Sequence, residues 1–225
     1  MIVAEQKSFN EISKAIEEFE NILVLGCGTC VTVCMAGGEK EVGVLAKQLK
    51  LHAKNNNKKI NIEEHTITRQ CDREFYDEGT ARKIQQSDMV LSLGCGVGVQ
   101  YLAEVFPEAL VRPGLNTRFY GANTQQGIWS ERCAGCGECL LEKYEGICPI
   151  ARCSKSLMNG PCGGSSNGMC EVDPENIECG WQLIYDRMKR LNKLDKLMDN
   201  QPPKDWSHGR DGGPGKVVRE DVLFD

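Results

Sequence analysis

The chain has 225 residues, 40% of them hydrophobic, which suits one sizeable α/β domain with a smaller appendage and excludes a disordered polymer. Its formal net charge of -5 comes without any stripe of clustered Lys and Arg, which argues against a nucleic-acid surface. Thirteen cysteines are far more than an ordinary intracellular chain carries, so cysteine chemistry has to be explained first.

In chain order, residues 8–20 predict an amphipathic helix with Phe9, Ile12, Ala15, Ile16 and Phe19 on one face and Ser8 and Glu11 spaced as a capping box. Glu5, Lys7, Glu11, Lys14, Glu17, Glu18 and Glu20 occupy the region where a signal peptide needs an apolar stretch, and no run of roughly eighteen apolar residues occurs. The expectation is a cytoplasmic protein without membrane insertion, in which close cysteine pairs are thiolate metal ligands rather than disulfides.

The run Ile22-Leu23-Val24-Leu25 predicts a strand, ended by Gly26-Cys27-Gly28 and followed by a helix over residues 39–53. The pattern repeats as a strand over 59–68 with a helix over 77–86, and as a strand over 89–93, ended by Gly94-Cys95-Gly96, with a helix over 97–105. A short fourth strand at 109–111 completes a Rossmann-like parallel sheet, so residues 1–120 are expected to form one α/β domain. Residues 121–180 are rich in Cys and Gly with few apolar runs, and predict a small domain with metal in place of an apolar core. A single helix is expected over 181–198, with Trp181, Ile184, Met188, Leu191, Leu194 and Met198 on one face. Residues 201–225, with Pro202, Pro203, Pro214 and interspersed glycines, predict an extended arm of the kind that wraps a neighbouring domain or subunit.

Cys27, Cys30 and Cys34 follow the first predicted strand, Cys71 the second and Cys95 the third. A parallel sheet carries all three groups to one edge, at the carboxyl ends of its strands, where open α/β proteins bind ligands. Four thiolates there suit a [4Fe-4S] cluster or a zinc ion, and thiolates alone do not choose between them. The expected ligands are Cys27, Cys30, Cys71 and Cys95, with Cys34 spare or exchanging with Cys30. Gly26, Gly28, Gly94 and Gly96 are expected to let backbone N–H groups reach cluster sulfurs. Dinucleotide binding is disfavoured, because Val31 and Val99 stand where the third glycine of G-x-G-x-x-G belongs.

Cys133-x-x-Cys136-x-x-Cys139 followed by Cys148-Pro149 resembles a bacterial ferredoxin run, except that eight residues precede Cys148 where ferredoxins have three. The triple spacing favours iron–sulfur over zinc, which prefers paired knuckles. Cys153, Cys162, Cys170 and Cys179 are further candidate ligands, and thirteen cysteines allow two or three [4Fe-4S] sites, or zinc at one of them. Cys179 precedes the last predicted helix, whose N-terminus would favour its thiolate. His52, His65 and His208 are isolated from one another and read as surface or packing residues. No Ser-His-Asp order, H-E-x-x-H or phosphate-binding loop is present, so no catalytic residue is assigned.

Leu25-Gly26-Cys27-Gly28-Thr29-Cys30-Val31, Leu93-Gly94-Cys95-Gly96-Val97-Gly98, Cys133-Ala134-Gly135-Cys136-Gly137-Glu138-Cys139 and Asn159-Gly160-Pro161-Cys162-Gly163-Gly164 occur in this order. Together they resemble the methylenetetrahydrofolate reductase C-terminal domain family, which includes the small iron–sulfur subunit of the reductases of acetogenic bacteria. The resemblance implies an electron-transfer subunit in one-carbon metabolism (the Wood–Ljungdahl pathway). Its partner would be a catalytic barrel subunit, bearing FMN or FAD, that reduces methylenetetrahydrofolate to methyltetrahydrofolate. It also implies ferredoxin or a similar low-potential donor upstream. The competing expectation is a zinc-stabilised assembly module of the same flavoprotein.

Overall fold

A computed structural model describes residues 1–222. The chain divides into two compact units, Met1–Ser130 and a second from Glu131 onward.

The first unit runs β1 (Ile2–Gln6), α1 (Phe9–Ala15), β2 (Asn21–Cys27), α2 (Cys30–Val33), α3 (Glu39–Asn55), β3 (Asn61–Ile67), α4 (Glu78–Gln86), β4 (Met89–Ser92), α5 (Gly96–Val105), β5 (Val111–Pro113) and β6 (Leu115–Gln125), and ends within β7 (Ile128–Cys133). Four strands form a parallel sheet in the order β3-β2-β4-β5, as the repeated strand-then-helix pattern predicts. The central strand is apolar at every position from Ile22 to Leu25 because both of its faces are covered. Ile22 and Val24 pack on one side in a core with Val42, Leu45 and Leu49 of α3, whereas Leu23 and Leu25 pack on the other with Ile84 of α4 and Leu102 of α5.

Three local expectations change. The first helix stops at Ala15 rather than near residue 20. Ser8 Oγ accepts the Glu11 N–H at 3.2 Å as the capping box requires, but the Glu11 carboxylate turns to Lys7, so only half the box forms. Glu17, Glu18 and Glu20 then crowd the negative end of the helix dipole, which opposes another turn. A second sheet, β1-β6-β7, was not foreseen: no element was expected over 2–6, and β6 and β7 span the expected boundary at 120. Strand β6 buries only Leu115 and Gly121, so it lacks the alternating apolar signal of a half-buried strand. Gly127, at φ 84°, supplies the left-handed residue at the β6–β7 turn.

The second unit holds α6 (Pro149–Arg152), the β8 (Met169–Cys170) and β9 (Asp173–Glu178) hairpin and α7 (Gly180–Arg190). Its expected lack of an apolar core is corrected: α7 lays Trp181, Ile184 and Met188 against Leu140, Tyr144 and Ile150. The helix expected over 181–198 breaks at Leu191, because Asn192 adopts a left-handed φ of 53°. There Asn192 N–H donates to the Lys189 carbonyl at 3.2 Å and Lys193 N–H to that of Met188 at 2.9 Å, a Schellman closure, before a short 3-10 turn at Leu194–Met198. The arm beyond 201 lies over its own unit, with 3-10 turns at Trp206–His208 and Arg210–Gly212, and residues 223–225 of the expected arm fall outside the described residues. Among the described residues no helix is long and apolar enough to cross a membrane.

Ile184 is fully buried in this small core. Ile184→Ala is expected to cost about 3 kcal/mol, because so few neighbours can collapse into the cavity. Urea unfolding that shows less than about 1 kcal/mol of loss would place the stability of this unit elsewhere.

Candidate functional site

The path of the chain explains where the thiols meet. From β2 it passes to β3 on one side, then crosses to β4 on the other, so the carboxyl ends of β2 and β4 flank a topological switch point. Cys27 is the last residue of β2, in register with Ile67 at the end of β3. Cys71 follows β3 in a loop, and Cys95 is the N-cap of α5 just after β4. Burial pushes the Cys71 thiol above its ordinary pKa, and the charges of Cys95 and Cys27 add to the shift. Tyr76, whose hydroxyl is raised chiefly by burial, also feels Cys27 and Cys71. Cys27 and Cys95 are buried, Cys71 is exposed, and Cys30 is half-buried as the first residue of α2.

Cys34 differs from these. Its thiol donates to the carbonyl oxygens of Ala4 at 3.5 Å and Val31 at 3.6 Å, it packs in the main core, and burial raises its pKa. It behaves as a small core hydrophobe. The donor set expected at the edge, Cys27, Cys30, Cys71 and Cys95, fits a thiolate-bound metal in the chemistry of its ligands. Among the described residues, no group of three or more His, Cys, Asp or Glu side chains is arranged to hold a metal ion.

A residue not singled out in the sequence, Gln70, ties these loops together. Its side chain is completely buried. Its Nε2 donates to the carbonyls of Leu25 at 2.9 Å and Gly26 at 3.1 Å, just before Cys27. Its Oε1 accepts the Ser92 hydroxyl at 2.6 Å, and Ser92 Oγ in turn accepts the Gly94 N–H at 3.1 Å, just before Cys95. The Tyr76 hydroxyl donates to the Gln70 carbonyl at 2.6 Å, just before Cys71. One amide therefore braces all three cysteine-bearing segments. The available signal was Ser92, a polar residue inside an otherwise apolar strand, whose hydroxyl needs a buried partner.

The glycine expectation is corrected here. The Gly28 N–H donates to Ile67 O at 2.8 Å, that of Gly94 to Ser92, and that of Gly96 to Thr117 Oγ1 at 2.8 Å, so these donors are occupied by protein acceptors. Close packing accounts for Gly26 and Gly94: a Cβ would stand 2.5 Å from Thr66 Oγ1 at the first and 2.5 Å from Gln70 Oε1 at the second.

In the second unit the loop 133–139 winds through positive φ at Gly135 (64°) and Gly137 (82°), and the Gly135 N–H points to Cys133 Sγ at 3.4 Å. Cys136, Cys148, Cys153 and Cys179 share the apolar cluster of this unit, whereas Cys133, Cys139 and Cys162 are exposed. The ferredoxin-like run is thus divided between core and surface. Cys170 lies 3.4 Å from Ser154 Oγ, and that hydrogen bond with nearby backbone N–H groups holds its pKa below the ordinary thiol value. Cys179 is the N-cap of α7.

The histidines remain apart. His52 packs edge-on against Phe9 at 5.4 Å, His65 Nε2 bonds Thr80 Oγ1 at 2.9 Å, and exposed His208 faces Asp205 at 3.2 Å. Burial, with Lys83 beside it, lowers the pKa of His65.

A parallel α/β unit that gathers thiols at its switch point, followed in sequence by a cysteine-rich unit, defines a cysteine-centred α/β protein. Residues 112–207 match the family model described as methylene-tetrahydrofolate reductase C terminal. The match contains the Cys133–Cys139 and Asn159–Gly164 motifs, and the strand-end cysteines lie before it. No curated protein and no solved structure matches the chain.

Proposed function

We propose that the chain is the iron–sulfur electron-transfer subunit of a methylenetetrahydrofolate reductase. The observation that carries this reading is the placement of Cys27, Cys71 and Cys95 at or just after the carboxyl ends of three neighbouring parallel strands. Cys27, Cys30, Cys71 and Cys95 would hold one [4Fe-4S] cluster. Cys133, Cys136, Cys139, Cys148, Cys153, Cys162, Cys170 and Cys179 would supply one or two more. A bound cluster supplies one-electron transfer at low potential. The chain's own residues contribute the thiolates and the Gln70 brace that keeps three loops in register. The family match supports a reductase setting, in which a flavin-bearing (FMN or FAD) catalytic subunit receives the electrons and ferredoxin or a similar carrier supplies them.

Anaerobic purification should give a brown protein with broad absorbance near about 400 nm and about eight to twelve irons per chain. A colourless chain that holds zinc alone would sink the proposal in favour of an assembly module. In the complex with its flavoprotein, Cys136→Ser should slow flavin reduction while the subunits stay associated. Unchanged flavin reduction would point to scaffolding.

A further inference from the structure

Lys204, in the C-terminal arm, has a side chain with 0% exposure to solvent. Its ammonium donates to the carbonyl oxygen of Cys136 at 3.0 Å and to that of Asp205 at 3.4 Å, and lies 5.3 Å from the centroid of the Trp206 ring. The nearest carboxylate, Glu138 Oε2, stands 3.5 Å away on a side chain 47% exposed, and the same oxygen also accepts the Asp205 N–H at 3.1 Å. The ammonium is therefore enclosed with two neutral dipoles, an aromatic face and a shared, half-solvated carboxylate. Burial of an ammonium is costly unless negative charge close by compensates it.

The arm lies against one particular loop. A Cβ on Gly209 would stand 3.2 Å from the Cys136 Cα, and one on Gly137 would stand 2.5 Å from the His208 Cβ. Residues 204–209 thus run in contact with the backbone of 136–138, and Lys204 is anchored on the middle cysteine of the C-x-x-C-x-x-C loop. Thiols in that loop are neutral when protonated and negative when they bind metal. Glu138 gives the enclosed cation one exposed counter-charge; thiolates in the loop would add a second, whereas neutral thiols would add none.

We propose that Lys204 is the charge-compensating residue of the second cysteine group: it straps the arm onto the loop 133–139 and offsets the negative charge of metal-bound thiolates there. The inference rests on thiolate metal binding at this loop, as proposed above. It makes Lys204 a positioning and tuning residue, with the Cys136 carbonyl between its ammonium and the thiolates. Removal of the cation should weaken metal retention and, for a cluster, disfavour the reduced state, which carries one more negative charge.

The test uses the full chain, loaded anaerobically with iron and sulfide, as wild type and as Lys204→Met, which keeps the length and apolar stem of the side chain. Metal loss to a chelator should be about tenfold faster in the variant. In a redox titration followed by electron paramagnetic resonance, one signal should move to more negative potential while any other stays in place. Metal-free chains should share one circular dichroism spectrum and both unfold cooperatively, the variant at a modestly lower denaturant concentration for the hydrogen bonds lost to Cys136 and Asp205, which separates metal loss by a folded chain from loss of fold. Faster metal loss with unchanged potentials would reduce Lys204 to a packing residue and overturn the proposal, as would a variant indistinguishable from wild type. A wild-type chain that takes up zinc alone ends the electron-transfer reading but leaves the proposal to the chelator experiment, where equal loss rates overturn it. A wild-type chain that retains no metal overturns both.

Discussion

Cys95→Ser is expected to lower the iron content of the anaerobically loaded chain by about four atoms, one whole cubane, with the loss of one paramagnetic signal. A [4Fe-4S] cluster needs all four thiolates, and Cys95 has no neighbouring cysteine in its own loop to replace it. It is buried and held as the N-cap of α5, so its place cannot readily be taken by a shift of the backbone. Cys34→Ser is the matched control. Its thiol donates to Ala4 and Val31 inside the core, so the substitution should leave the iron content intact and cost only some stability. Full iron in Cys95→Ser, or equal losses in the two variants, would remove the switch point as a cluster site.

The second large effect is expected at Gln70. Gln70→Leu deletes a donor to two main-chain carbonyls and an acceptor for Ser92, all buried, and should destabilise the first unit by about 3 kcal/mol in urea unfolding. Thiol accessibility provides the functional readout. Cys27 and Cys95, buried in the wild type, should become open to an alkylating reagent, whereas Cys34 should stay protected.

Gln70→Glu tests the direction of the hydrogen bonds. An ionised carboxylate would face the carbonyls of Leu25 and Gly26, so both burial and these dipoles raise its pKa in the folded state above the unfolded value. The folded form then binds more protons, so this variant should be most stable below the unfolded pKa and lose stability as pH rises through the folded one. The wild-type N-cap Asp77 has the opposite sign. Hydrogen bonds from Thr80 lower its pKa, so its contribution is present above the unfolded value and is lost as pH falls. A Gln70→Glu chain whose stability does not decline with rising pH would show that Gln70 is not locked in this orientation.

Much of the first unit was legible in residue order because its signals are local. Ile22–Leu25 and Met89–Leu91 are apolar runs that end at Gly-Cys-Gly, and each is followed by helical periodicity. Once the sheet is parallel, the carboxyl ends of β2, β3 and β4 must share an edge, so Cys27, Cys71 and Cys95 could be placed along that edge before any coordinates. Strand β1 and the β6–β7 hairpin could not be read in the same way. Ile2 pairs with Tyr120 across most of the unit, and β6 has too few buried positions to show a period.

The sequence by itself determined the chemistry: thirteen thiols, their grouping, and the parallel sheet that delivers the first group to one edge. Tertiary structure alone decided which thiols are committed elsewhere and which polar groups support the rest. Cys34 and Cys30 have the same residue type on the same short segment, and only packing against β1 directs the former into the core. Gln70 and Lys204 are ordinary polar residues in sequence and become significant because they are buried, at the switch point and over the Cys136 loop respectively. The physical reason is the same for both. The cost of desolvating a polar group depends on what surrounds it, and its surroundings here come from segments far away in the chain.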